Sequence, residues 1–206
     1  VPSQNGALAV AVPGNVAGLC YALEKYGTLN LKTVLAPSLK YCKEGIPIDP
    51  HMRSEQKTML TRFEQHPGYR DEYAGLWKHY LNNGTPWPKE ARFYSPLGPV
   101  YEKIAKEGKA GFYGGEVGEA LVKALQASGG VITAEDLASI APKERRVLRG
   151  TFQGRTVLTM PPPSSGGVAL LEVLNILSAW EKTHSAKVGK LRHNQSDYLQ
   201  LLTEAM

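Results

Sequence analysis

The sequence predicts an α+β chain that is mostly helical. Three observations carry that reading. Apolar residues recur at helical spacing over most of the chain. Only two short stretches, Ala7–Val12 and Arg155–Met160, read as strands. The glycines and prolines fall between these patterns as punctuation. The 206 residues suffice for one domain with its own core or for one lobe of a larger body, and 42% hydrophobic with 21% charged residues is a globular composition. No apolar run approaches the ~18 residues that span a bilayer. Val1-Pro2-Ser3-Gln4 shows no basic patch followed by an apolar stretch, so no signal peptide is visible.

Taken in order, Ala7–Val12 is an apolar run ending at Pro13-Gly14, the pattern of a buried strand entering a turn. Val16, Leu19, Cys20 and Leu23 follow at i, i+3, i+4, i+7, with Asn15 as N-cap and Gly27 as stop. The small residues Gly14, Ala17 and Gly18 suit close packing of that helix on a sheet. Leu31, Val34, Leu35, Leu39 and Cys42 continue a helical period that Pro37 is expected to break in two. Ser54–Phe63 and Tyr73–Leu81 read as helices separated by His66-Pro67-Gly68, and Trp87–Pro99, with three prolines, reads as loop.

Helical pattern returns at Val100–Glu107 and at Gly115–Ser128, which Gly129-Gly130 ends. Thr133 with Asp136 three residues on is a relative of the capping box and opens a short helix to about Ile140. After Arg155–Met160 come Pro161-Pro162-Pro163 and Ser164-Ser165-Gly166-Gly167, then a helix carried by Val168, Leu171, Leu174, Ile176 and Leu177. A last helix starts near Ser196 and still has an apolar face (Leu199, Leu202, Ala205) at Met206, which reads as a chain cut short.

The net charge of +5 raises the question of a nucleic-acid partner. The basic residues are interleaved with glutamates, as in Glu102-Lys103 and Lys106-Glu107. Even the densest cluster, Lys143–Arg149, contains one, so solvated faces are the preferred reading and an anionic partner the alternative. Cys20 and Cys42 lie in apolar-periodic positions without a Cys-x-x-Cys or neighbouring histidines, which favours buried thiols over a metal or redox site; a disulfide between them is left open. His51, His66, His79, His184 and His193 form no ligand or base motif. The carboxylate pairs Asp71-Glu72 and Glu135-Asp136 are adjacent and so diverge on a helix. The Pro-Pro-Pro-Ser-Ser-Gly-Gly stretch allows two readings: a rigid strand-to-helix connector with a serine cap, or an anion site at a helix N-terminus. It is neither a Walker loop nor a nucleophile elbow.

Several blocks, in order, resemble the large subunit of γ-glutamyltranspeptidases. They are Val12-Pro13-Gly14-Asn15-Val16-Ala17-Gly18 with Lys25-Tyr26-Gly27-Thr28, Leu35-Ala36-Pro37 with Glu44-Gly45, and Phe112-Tyr113-Gly114-Gly115. Gly129-Gly130-Val131-Ile132-Thr133 through Leu137 and Met160–Gly167 with Leu174-Asn175-Ile176-Leu177 complete the set. Between Phe63 and Pro99 the match lapses: Arg92–Pro99 stands where the family has a short strand pair and a helix start, which leaves the acyl donor open.

The resemblance implies residues 1–206 are one partial large-subunit domain, truncated at both ends. It would form part of an αββα sandwich of the N-terminal-nucleophile hydrolases. It also implies γ-glutamyl transfer or hydrolysis on glutathione and γ-glutamyl amides, a small-molecule substrate, a small subunit cut from the same precursor, and a periplasmic or extracellular location. In the family a threonine heading the small subunit attacks, with its own α-amino group as base. The resemblance places that threonine, the oxyanion glycines and the serine pair for the α-carboxylate beyond Met206, and the arginine for that carboxylate before Val1. No catalytic, cofactor-binding or metal residue is therefore assigned within residues 1–206, and no cofactor, nucleic acid or membrane segment is expected. The alternatives are a related acylase acting on another amide and a non-catalytic anion-binding module.

Overall fold

A computed structural model describes residues 4–206. The chain divides into two compact units, one running to Pro142 and the other spanning Lys143–Met206. In the first, helix α1 (Asn15–Tyr26) is followed by α2 (Leu31–Glu44), strand β1 (Ile46–Pro47), α3 (Pro50–Gln65), α4 (Tyr69–Glu72) and α5 (Ala74–His79). Strand β2 (Arg92–Phe93) then precedes α6 (Gly98–Glu107), α7 (Ala110–Tyr113), α8 (Gly115–Ala127) and α9 (Ala134–Ser139). The second unit holds strands β3 (Leu148–Phe152) and β4 (Arg155–Thr159), the long α10 (Gly166–Thr183) and α11 (Ser196–Ala205).

The helical prediction holds for most elements, and the departures have physical causes. Ala7–Val12 is not a strand: a 3-10 turn occupies Ala7–Ala9, Leu8 and Val10 are exposed, and only Val12 reaches the core. An apolar run this short does not distinguish a strand from a turn. Asn15 is not a cap, because Gly14 is already helical in φ and ψ and its carbonyl accepts from Gly18 N. Ala17 packs against the ring of Tyr113 and not against a sheet, while Leu19, expected on the buried stripe, is exposed.

Pro37 does not break α2. It sits in the middle of a continuous helix on an exposed face, where the missing N–H leaves one carbonyl to water. That helix is started by Asn30, whose side chain accepts from Thr33 N at 2.8 Å. Trp87–Pro99 is not all loop: β2 pairs antiparallel with β1, Ile46 opposite Phe93 and Pro47 opposite Arg92. The Arg92 guanidinium extends the pairing by donating to the carbonyls of Glu44 (2.8 Å) and Gly45 (2.6 Å). The capping box at Thr133 is present in full, each partner bonding the other's backbone N–H.

The core of the first unit gathers Ala17, Tyr113, Ile132 and Leu137, with Val12, Leu121 and Leu125 packed on it. Phe63 is buried separately, stacked on Trp77 at 5.5 Å and meeting Tyr69 edge-on at 5.8 Å. The core of the second unit is Leu177, Leu201 and Ala205, where α10 and α11 meet, with Phe152 of the hairpin against it.

Candidate functional site

The Met160–Gly167 connector joins β4 to α10. Its turn is closed by Ser164 N donating to Pro161 O at 3.3 Å. Ser165 precedes the helix with helical φ and ψ (−73°, −26°), and neither serine caps it. A side-chain cap needs the extended backbone that Asn30 and Thr133 have, so the expected serine cap fails for a geometric reason. Gly167 is buried against the end of β4, where a Cβ would lie 1.9 Å from the Met160 carbonyl oxygen. The second glycine is thus there for close approach of helix and strand. Both serines are exposed. No hydrogen bond joins either hydroxyl to a histidine or carboxylate among the described residues, so neither has the base that an activated nucleophile requires.

The most elaborate polar site in the second unit is one that no sequence motif marks. Glu181, near the end of α10, is only 8% exposed. Its carboxylate accepts from Val188 N at 2.9 Å, Gln153 Nε2 at 2.7 Å and Lys187 Nζ at 3.1 Å. The Val188 amide, with Gln153 and Lys187, holds its carboxyl below the usual range. A groove of about 870 Å³ beside it is lined by residues that include Thr151, Asn175 and Lys190. A carboxylate satisfied on three sides and kept ionised is a fastener between α10, the hairpin turn and the Val188 turn. A general acid would need the opposite shift. One signal was in the sequence: an acidic residue in the last turn opposes the helix dipole and so calls for specific partners.

The other candidate groups are dispersed. Cys20 is buried and Cys42 half-buried, and both are free thiols; burial, then the Glu24 charge, pushes the Cys20 thiol up. His184 stacks on Trp180 at 4.8 Å with its Nδ1 3.1 Å from the Trp180 carbonyl. His66 and His193 lie against Tyr69 and Tyr198. Asp136 is committed to the Thr133 cap, whose backbone amide and hydroxyl keep its carboxyl low. Among the described residues no group of three or more His, Cys, Asp or Glu side chains is arranged to hold a metal ion.

A mostly helical chain whose β3–β4 hairpin is covered on one face by the long α10, and which superposes on solved gamma-glutamyltranspeptidases, is part of an N-terminal-nucleophile hydrolase fold. Within that class, the chain belongs to the gamma-glutamyltranspeptidase family, whose sequence model matches residues 2–206. It is 34% identical over 199 residues to the glutathione hydrolase proenzyme of Escherichia coli (strain K12), covering 96% of this chain and 32% of that protein. It is also 34% identical over 202 residues to the acylase ACY 1 proenzyme of Pseudomonas sp. (strain SE83), covering 98% and 34%. Among solved structures, the gamma-glutamyltranspeptidase of Helicobacter pylori superposes with a TM-score of 0.85 at 31% identity, over 98% of this chain and 55% of that one. The chain spans about a third of the length of the curated relatives it matches.

Proposed function

We propose that residues 1–206 are a large-subunit portion of a precursor that transfers or hydrolyses γ-glutamyl groups, on glutathione and related γ-glutamyl amides. The observation that carries this reading is the family match along almost the whole chain, joined to the roles of its polar groups. Glu181, Asp136, Gly167 and Tyr113 all serve packing or capping here. The nucleophile then belongs to a small subunit cut from the same precursor. Its N-terminal threonine hydroxyl attacks the γ-carbonyl, and the threonine's own amine takes the proton and passes it to the departing amine. The resulting ester is resolved by water or by the amine of an acceptor amino acid or dipeptide. More large hydrophobic side chains are exposed than buried among the described residues, which supports a body that needs further chain to cover it. Export to the periplasm or outside the cell belongs to the same reading. Among the described residues no helix is long and apolar enough to cross a membrane.

The test is turnover of a chromogenic γ-glutamyl anilide by the full-length precursor after self-cleavage. Turnover is expected, together with its loss when the new N-terminal threonine is replaced by alanine. Turnover by the 206-residue chain alone would put the nucleophile here and overturn the reading. The acylase alternative has one specific observation behind it, the equal 34% identity to the ACY 1 proenzyme. Cleavage of a cephalosporin side-chain amide by a precursor inert towards the anilide would establish it instead.

A further inference from the structure

The groove beside Glu181 carries more positive charge than the fastening of that carboxylate uses. Lys182 lies in the last turn of α10, Lys187 and Lys190 follow beyond it, and all three line the groove. Among the described residues the lining holds one carboxylate, that of Glu181. Lys187 Nζ donates to it at 3.1 Å, and Val188 N and Gln153 Nε2 occupy its other oxygen. Lys182 and Lys190 are exposed and form no ion pair among the described residues. Three lysines against one glutamate leave two positive charges uncompensated in one groove.

The end of α10 accounts for part of this pattern. A helix C-terminus favours a cation in its last turn, which is the position of Lys182. That effect fades within a turn and does not reach Lys190, which sits in a separate 3-10 turn (Val188–Lys190). Nor does the helix end present bare carbonyls to the groove at every position. Trp180 O already accepts from His184 N at 3.0 Å, and Glu181 O from Ala186 N at 3.2 Å. Neutral donors complete the lining: Asn175 and Thr151 are exposed in it, and neither side chain makes a hydrogen bond among the described residues. A cleft lined by one sign of charge concentrates counter-ions.

Size and spacing define the ligand class. The groove holds about 870 Å³, inside the range of about 300–1,000 Å³ usual for small-molecule sites. Its cations are confined to residues 182–190, which suits a compact anion, whereas an extended acidic polymer needs a track of cations. We propose that this groove binds a small, multiply charged oxyanion, a polycarboxylate or a polyphosphate. Lys182 and Lys190 supply the charge, Asn175 and Thr151 the neutral donors. Lys187 is a positioned cation: one of its three N–H groups is anchored on the buried Glu181, and two are left for the ligand.

The experiment is calorimetric titration of the full-length precursor with citrate and with pyrophosphate at constant ionic strength. Saturable binding of at least one is expected, and the two arms tell carboxylate from phosphate recognition. The double variant Lys182→Gln, Lys190→Gln is expected to lose about tenfold or more in affinity, because each lysine removed is a charged hydrogen-bond donor. Lys57→Gln, exposed on α3 in the other unit, is expected to bind as the parent does. A second reading uses the unaltered protein: the bound anion is expected to slow acetylation of Lys182 and Lys190 relative to Lys57, followed by mass spectrometry. If the double variant fails to fold, this protection decides. Absence of saturable binding by both anions overturns the proposal, as does unchanged affinity in the double variant. Binding and acetylation do not read turnover, so a precursor without γ-glutamyl activity still tests the site.

Discussion

The Tyr113 hydroxyl is bonded to the first turn of α1 by accepting from Ala17 N at 3.0 Å, and the same oxygen donates to Pro13 O at 2.6 Å. One phenol thus satisfies a helix N-terminal amide and the carbonyl of a turn about a hundred residues away in sequence. Tyr113→Phe keeps the ring and removes both bonds. Leaving buried backbone groups unsatisfied costs about 1–3 kcal/mol. The expected outcome is a loss of that size in urea unfolding, with faster amide exchange at Ala17 than in the parent. A variant as stable as the parent would show that water replaces the phenol.

Gly167 has no room for a methyl group beneath the Met160 carbonyl. Gly167→Ala must push α10 away from β4, and overpacking of this kind costs about 1–3 kcal/mol or more. Gly166, one residue earlier, would bring a Cβ no nearer than 3.8 Å to the Ser164 hydroxyl. Gly166→Ala is therefore expected to change stability by less than about 1 kcal/mol. Thermal unfolding of the two variants side by side checks the contrast. Equal effects would mean that the motif's glycines are needed for something other than close approach.

Glu181 makes the second unit sensitive to acid in a predictable direction. Its folded carboxyl lies below the ordinary 4.5 because the Val188 amide, then Gln153 and Lys187, favour the ionised form. A depressed group contributes stability above its unfolded pKa and loses that contribution as pH falls through the folded one. The unfolding temperature should fall from about pH 5 downward, and more steeply than in Glu181→Gln, where the titrating group is gone. Asp136 and Glu116 are also depressed, so the difference between the two profiles, and not the slope of either, isolates Glu181. Parallel profiles would remove it as the cause.

Local chemistry was the legible part of the fold. Thr133 and Asp136 announce a capping box, Gly129-Gly130 a helix end, and the spacing from Val168 to Leu177 a long helix, because each signal acts within a turn or two of chain. What depends on distant chain was not legible. The pairing of Arg92–Phe93 with Ile46–Pro47 is two residues long and joins segments far apart, with no alternation to mark it. Strand β3 was hidden because its start overlaps the basic cluster ending at Arg149, whose charge masks the β-forming residues Val147, Leu148 and Thr151. Pro37 misled because its cost to a helix is finite, and packing of the rest of α2 outweighs it. The candidate site divided the same way. The connector stood out by composition. Glu181 did not, since its three donors come from residues 153, 187 and 188 and only folding brings them together.

Helix α3 holds the segment after α5 in an unusual manner. Gln56 donates to the carbonyls of Leu81 and Thr85 and accepts from Trp87 N, while the Arg53 guanidinium donates to the carbonyls of Ile48, Trp87 and Lys89. Every partner is peptide backbone, and every residue type brings the carbonyls alike. Substitutions at the exposed positions 85, 88 and 89 can accumulate without loosening the attachment, provided the two anchors on α3 stay as they are, whereas Gly84, at φ +84° and with the Trp77 ring 2.5 Å from where a Cβ would stand, has no such freedom. The exposed side chains of such a stretch can change while the path of its backbone through space stays fixed.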